Sequence, residues 1–414
     1  MFDELIQVWN ETLPMCVQSL KDWVANLGGW TAISTIVVMI MAIFMVVGAI
    51  DRICGNKHGY GEQFEEGINA MGPLAMSMAG VVAVAPILAL ILNPIIGPVY
   101  KLVGADASMF ATTLLACDMG GYPLAMQLAS NESIGSFAGL ILGTMMGPTI
   151  VFTIPVALGI ISKEDRSYLG AGVLAGMITI PLGCIVGGLA MNVFTDYRLS
   201  FGQILINLVP VIVIAALIVI GLWFAPAKMI SGFNVFGTGV TIVITALTAI
   251  AVFEQITGIM FPLFDVMATP DETGMTPLNS GLLTCGQIGI VLIGAFPMVE
   301  WITRTFGGAL SKVGGLLGMN DKASAGMVAN LANNIAMFNI MGEMDPKGKL
   351  LNVAFAVSAA FVFGDHLGFT AGVDQSMVTP VIIGKLVAGI TALIVANLLA
   401  PKLLAKIDSA KQKA

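Results

Sequence analysis

Charge is scarce in this sequence: Lys, Arg, Asp and Glu together make up 10% of 414 residues, against about 25% in a soluble domain. Too few charges remain to coat a water-facing surface. With a formal charge of −7 and no basic cluster outside the tail Lys402–Lys413, the chain lacks what a nucleic-acid partner requires. Histidine occurs only as His58 and His366, which cannot make an HExxH pair. The five cysteines (Cys16, Cys54, Cys117, Cys184, Cys285) are scattered, with no CxxC, which speaks against zinc and a disulfide framework. No basic n-region opens the chain, and its first 28 residues are acidic and hold Pro14, so no cleaved signal peptide is expected. Neither a GxGD aspartyl element nor a GxSG serine with a histidine on another span is present. The chain is therefore expected to be no enzyme and to need no cofactor.

What is abundant points to lipid. Hydrophobic residues reach 57%, glycine contributes 48 positions, and the mean hydropathy is +0.93. Glycine at this density lets helices approach closely in a bilayer. Nine segments are long enough to span a core that takes roughly 20 apolar residues: 31–50, 67–92, 134–161, 168–192, 203–224, 235–260, 280–303, 350–372 and 376–400. In residues 1–30, apolar positions from Phe2 through Trp9, Leu13 and Leu20 to Leu27 recur at helical spacing, which suits an amphipathic helix lying along the interface.

Two further apolar stretches, 107–130 and 322–345, are interrupted near their middles. Cys117-Asp118-Met119-Gly120-Gly121 breaks the first, and Asn330 with Asn333-Asn334 breaks the second. Each either crosses the membrane, giving eleven spans, or turns back as a re-entrant hairpin. Cytoplasmic loops carry an excess of Lys and Arg. Eleven spans distribute these residues almost evenly, whereas nine spans with two hairpins leave only Lys21, Lys101 and Arg198 on one side. The hairpin reading is favoured on that ground, with the N-terminus outside and the C-terminus in the cytoplasm. Span, span, hairpin, span, span then occurs twice, in 31–193 and 235–400, joined by a linker helix 203–224 and followed by a basic tail 401–414. The linker makes the second unit enter upside down, an inverted-repeat plan common among transporters. Aligning 104–158 with 320–374 gives only chance identity, so the repeat rests on element order. The expected fold is thus an all-α polytopic membrane protein.

Polar groups at membrane depth need a reason. About ten helical residues rise roughly 15 Å, which places Asp118 and Asn333-Asn334 near hairpin tips at the midplane. The span after each hairpin is broken as well, by Gly147-Pro148-Thr149 in one and by Gly364-Asp365-His366 in the other. The candidate binding set is Asp118, Thr149, Asn330, Asn333, Asn334, Asp365 and His366, with Glu65, Glu66 and Tyr122 as secondary members. Each has a plainer alternative. Asp118 can cap a helix, Asp365 and His366 can form a buried pair, and the asparagines can bind helices together. Glu65 and Glu66 suit a helix N-terminus, Tyr122 can simply pack, and Lys385 can snorkel out of its span. Two carboxylates with amides suit a small amine bearing hydroxyls, or a cation-coupled solute, moved by a carrier or, as the alternative, a channel. Whether H+ or Na+ is coupled, and whether the chain forms a homo-oligomer, stays open.

Longer blocks carry a resemblance. Gly61-Glu62-Gln63-Phe64-Glu65-Glu66-Gly67, SMFATTLLACDMGGYPLA (108–125), LILGTMMGPTIVFTIPVALGII (140–161), GVLAGMITIPLGCIVGGL (172–189), GMVANLANNIAMF (326–338) and NVAFAVSAAFVFGDHLGF (352–369) are similar to the ethanolamine-utilisation transporter (EutH) family. They stand in family order across about 31–400. The resemblance implies a protein of the bacterial cytoplasmic membrane that brings ethanolamine in for breakdown to acetaldehyde and ammonia. It assigns no binding residue.

Overall fold

The computed structural model describes residues 2–25, 28–30, 32–270 and 274–412. Thr31, which opens the first expected span, Leu27 of the amphipathic set and Lys413 of the tail lie outside the described residues. The described chain is all-helical. In order, α1 is Phe2–Ala25, α2 Ala32–Ile53, α3 Tyr60–Asn69, α4 Met71–Leu102, α5 Ser108–Leu114 and α6 Gly121–Leu128. A much-broken helix follows, α7 (Glu132–Ile160), then α8 Arg166–Met177, α9 Ile180–Phe194, α10 Phe201–Phe224, α11 Pro226–Thr257 and α12 Pro277–Leu316. The remaining helices are α13 Asp321–Ala332, α14 Asn334–Asn339, α15 Pro346–Ala359, α16 Asp365–Val373 and α17 Val378–Lys411.

Local chemistry sets several starts. Ser200 and Gln203 close a reciprocal capping box at α10, which satisfies two otherwise orphaned N–H groups. Thr276 caps α12, Asn320 caps α13 and Asp345 caps α15, the first and last with proline in the opening turn, where its missing N–H costs nothing.

Among the described residues, seven helical stretches are long and apolar enough to cross a membrane, and the pair 163–177 and 180–194, bent by 42°, makes an eighth if taken as one span. The surface confirms the solvent: Leu217, Ile220, Val243, Ile290 and Ile394 are all exposed, an apolar exterior that water would not tolerate but lipid requires. Only 17% of the most apolar window of α2 and of α11 is buried, against 83% for α7. The rim helices therefore face lipid on most sides and α7 runs through the centre. The described side chains of α1 from Ile6 to Asp22 are exposed throughout.

The break expected at Gly364-Asp365-His366 within 350–372 is present: the chain divides there into α15 of 14 residues and α16 of 9 residues, the second starting at Asp365. Between them Phe361 adopts φ 62°, a left-handed conformation that strains a bulky side chain and persists only where surroundings impose it. The imposition is visible: the Phe361 and Phe363 N–H groups donate to the carbonyls of Asn330 and Leu331, both at 3.0 Å. The first half has a matching contact, in which the Cys117 N–H donates to the Gly143 carbonyl at 2.9 Å where α7 is broken by turns and wide π segments.

The short helices pair off. α5 of 7 residues packs on α6 of 8, and α13 of 12 residues on α14 of 6. The ends of each pair meet. Asp106 accepts from the N–H groups of Ser108 (2.9 Å) and Ser130 (3.0 Å). Asp345 accepts from Asn320 N–H at 2.9 Å, and Lys322 pairs with Glu343 at 2.9 Å.

The two halves interleave, α8 against α15 and α9 against α17. At one such seam Lys349 Nζ lies 2.5 Å from Asp165 Oδ1, with side chains only 13% and 5% exposed. Removing one partner of a buried pair strands the other charge at a cost of about 3–5 kcal/mol. Lys349→Ala should lower the melting temperature markedly, whereas the double variant Lys349→Ala, Asp165→Asn should recover part of the loss. An unchanged melting curve for the single variant would show the pair to be idle.

Candidate functional site

The breaks converge on a cavity of about 640 Å³, a usual size for a small-molecule site. Its floor is made of the α5–α6 connection (Asp118, Met119), the α13–α14 junction (Ala332, Asn333, Ile335) and the start of α16 (Gly364, Asp365). Its walls are Phe152 of α7 and Phe296 of α12, and its rim holds Gln63 and Glu66 of α3 with Glu300 and Thr303 of α12. Exposure falls from Glu66, which is exposed, to Asp118, Asn333 and Asp365, which are half-buried.

Glycine makes the convergence possible. A Cβ on Gly147 would lie 1.9 Å from the Leu115 carbonyl oxygen, and one on Gly364 would lie 2.1 Å from that of Ala332. Each broken helix thus touches the backbone of a paired-helix tip with no room for a side chain.

Of the sequence candidates, Asp118, Asn333, Asp365 and Glu66 line the cavity. Among the described residues neither Asp118 nor Asp365 has a salt-bridge partner. Ser77 Oγ donates to the Asp118 carbonyl at 3.2 Å and itself lines the cavity. Asn333 Oδ1 accepts from Ile335 N–H at 2.8 Å, which fixes the amide at the tip.

Others sit behind the wall. Thr149 is buried and donates to the carbonyls of Met145 (2.9 Å) and Val357 (3.0 Å), tying α7 to α15. Asn330 donates to the Asn352 carbonyl at 3.2 Å, and Asn334 donates to Thr153 Oγ1 at 2.9 Å. His366 faces away from the cavity, its Nδ1 3.0 Å from Lys385 Nζ. Glu65 pairs with Arg52 at 2.7 Å on the surface, and Tyr122 packs edge-on to Phe369 with centroids 5.9 Å apart. Lys385 does not snorkel: it is 1% exposed.

Residues missed in the sequence include Gln63, Ser77, Glu300 and Thr303, all of which line the cavity. Glu300 lies near the end of an apolar run, where a carboxylate carries no distinguishing signal. The Cys117 thiol, the Asp118 carboxylate and the His366 imidazole present atoms within 4.8 Å of one another. Because Lys385 already holds that imidazole, the group is built around an ammonium of the chain itself.

Away from the cavity, ties gather at the far end of α16. α16 begins in the cavity at Asp365 and ends before Asp374, which accepts from the Tyr197 hydroxyl at 2.9 Å. Burial pushes the Tyr197 phenol up to about 12, so it remains a donor through the physiological range. Ser34 adds a further tie there, donating to the Ser376 carbonyl at 3.0 Å.

The family model described as "Ethanolamine utilisation protein, EutH" matches residues 33–399. The chain is 53% identical over 385 residues to the "Probable ethanolamine permease EutH" of Listeria monocytogenes serotype 1/2a (strain 10403S), covering 92% of this chain and 98% of that one. It is 48% identical over 398 residues to the protein of the same name in Escherichia coli (strain K12), covering 89% and 96%. It is also 46% identical over 378 residues to "Uncharacterized protein YxeR" of Bacillus subtilis (strain 168), covering 91% and 96%. No solved structure matches the chain. A match running from the start of α2 into the last turns of α17, at these identities, makes this chain a member of the EutH ethanolamine utilisation protein family.

Proposed function

We propose that this chain carries ethanolamine into a bacterial cell across the cytoplasmic membrane, holding the ammonium at Asp118 and Asp365. The observation that carries the reading is the two half-buried carboxylates, Asp118 and Asp365, that line one cavity without a salt-bridge partner among the described residues. A carboxylate there is costly unless a cation comes to it, and the names of the relatives from Listeria and Escherichia coli supply the amine. The hydroxyl of the solute would meet Asn333 and Ser77, which offer both donors and acceptors. The reading leaves the chain a carrier and not an enzyme, and it assigns no cofactor.

The reading extends to the architecture. The paired helices α5–α6 and α13–α14 act as re-entrant hairpins, supported by the contact of their ends through Asp106–Ser130 and Asn320–Asp345. Two inverted units, 31–193 and 235–400, are joined by the linker 203–224. Support comes from equivalent contacts in both halves: a hairpin tip bonded to a broken span, and a glycine of that span pressed on the tip. The N-terminus lies outside and the tail 401–414 in the cytoplasm. In support, Lys322, Lys349 and Arg304 contact the connections that hold Glu343, Asp165 and His58, and Lys406 contacts Trp223 at the end of α10. With its rim at one end and the Tyr197–Asp374 tie at the far end of α16, the cavity suits alternating access better than a pore open at both ends. A homo-oligomer is compatible with the lipid-facing rim.

Uptake of labelled ethanolamine into proteoliposomes tests the reading, with choline, ethanol and alanine as competitors. Saturable uptake blocked by ethanolamine alone is expected. Absence of uptake under any imposed gradient would return the solute to the unknown, and an unsaturable current would favour a channel.

A further inference from the structure

Lys385 stands on α17 with its ammonium in the protein interior, 1% exposed. An intramembrane lysine of this kind needs a partner and a reason. Part of the partnership follows from Pro148. Proline has no N–H to donate one turn back, so the Thr144 carbonyl lacks its usual helical donor, and Lys385 Nζ fills that place at 2.5 Å. The same ammonium lies 3.0 Å from His366 Nδ1. The imidazole in turn sits within 4.8 Å of the Cys117 sulfur and an Asp118 oxygen. Asp118 thus has the cavity on one side and this cluster on the other. Among the described residues Lys385 has no carboxylate within salt-bridge distance, so the countercharge sharing its cluster is the carboxylate that also lines the cavity.

The charge count is then informative. Four carboxylates line the cavity; Glu300 is paired with Arg304 and Glu66 is exposed to water at the rim, which leaves Asp118 and Asp365 at the floor with one ammonium fixed behind them. We infer that Lys385 is the resident cation of this site: it offsets one of the two carboxylates from behind, leaves a net charge that accepts a single monovalent amine, and fills the place a free inorganic co-ion would take. The inference rests on reading the cavity as an amine site. It adds two properties, independence from sodium and rejection of dicationic amines. Both follow because a second free cation would meet the lysine charge in a site where water screens poorly.

The test uses the purified full chain and its Lys385→Gln variant, which retains hydrogen bonding but not charge. Melting is followed in sodium chloride and in N-methylglucamine chloride at equal ionic strength, each with and without ethylenediamine, alongside ethanolamine exchange in proteoliposomes. The wild type should melt and exchange alike in both salts and be inhibited poorly by ethylenediamine. Lys385→Gln should gain a sodium- or ethylenediamine-dependent rise in melting temperature, with ethylenediamine competing at least about tenfold better. A sodium requirement in the wild type overturns the inference, as does a Lys385→Gln protein with wild-type cation preferences. If Lys385→Gln does not survive purification, the wild type still decides: sodium independence with rejection of the diamine upholds it. Failure of the wild type to exchange ethanolamine, with the new cation response of Lys385→Gln intact, would sink the ethanolamine reading alone.

Discussion

Asp118→Asn is expected to lower saturable ethanolamine uptake by about 100-fold while leaving membrane insertion and melting close to wild type. The exchange keeps shape and hydrogen-bonding capacity and removes only the charge. Two unit charges 4 Å apart interact by about 4 kcal/mol at an effective dielectric of 20. Water entering past the exposed Glu66 rim weakens this, and about 3 kcal/mol still corresponds to roughly two decades. The melting temperature should fall little, because no cation lies within salt-bridge distance of Asp118 and Lys385, which shares its cluster, keeps the Thr144 carbonyl and His366 as direct partners. Asp365→Asn provides the companion measurement, since the same cavity faces it. Normal uptake by Asp118→Asn, in protein of normal abundance, would take that residue out of transport altogether.

The second large effect concerns packing. Gly147→Ala and Gly364→Ala should each cost about 3 kcal/mol or more, at the upper end of what overpacking does. The new methyl would fall 1.9 Å from the Leu115 carbonyl oxygen in one case and 2.1 Å from that of Ala332 in the other. Backbone carbonyls at a helix tip cannot swing aside as a flexible side chain can, so the tip itself must move. Gly159→Ala is the control, because a Cβ there meets nothing within 4 Å and alanine is the better helix former by about 1 kcal/mol. Melting temperatures in detergent, with uptake measured on the protein that survives, separate the outcomes. Were both alanine variants at 147 and 364 to melt like wild type, the close approach of tip and broken helix would not exist.

Much of the fold could be read because lipid imposes a simple demand, a long apolar helix, and composition reports it directly. The interruptions at Asp118 and at Asn333 could be read for the same reason in reverse, since polar groups inside apolar runs are conspicuous. The break within 350–372 is legible at Gly364-Asp365-His366 but not where it begins: Ala360, Phe361 and Val362 are ordinary span residues, and the distortion at Phe361 is forced by carbonyls of a segment some thirty positions earlier. The site was legible only to the level of the segment. At a helix tip adjacent residues point in different directions, so Asn333 meets the cavity while Asn334 turns to Thr153, and Asp365 meets it while His366 turns to Lys385. No local pattern separates these neighbours. The role of Lys385 stays open in the sequence, with snorkelling as one option, because its partner Thr144 is 241 residues away and nothing nearby announces the carbonyl that Pro148 leaves without a donor.

The interleaving of the halves has a consequence for how the protein is made. Thr149 finds the Val357 carbonyl, Thr144 is met by Lys385, and Asp165 by Lys349. In each case a group in the first half is satisfied by one that leaves the ribosome some two hundred residues later. While the second half is still being synthesised, the first half sits in the bilayer with Asp118, the Thr144 carbonyl and Asp165 all lacking their eventual surroundings. Until then Thr149 and Asp165 have only local partners, Met145 and Ser162, and the long-range ones wait for α15 to α17. The centre is complete only once those helices have been made, since α15 and α17 carry the Val357 carbonyl, Lys349 and Lys385.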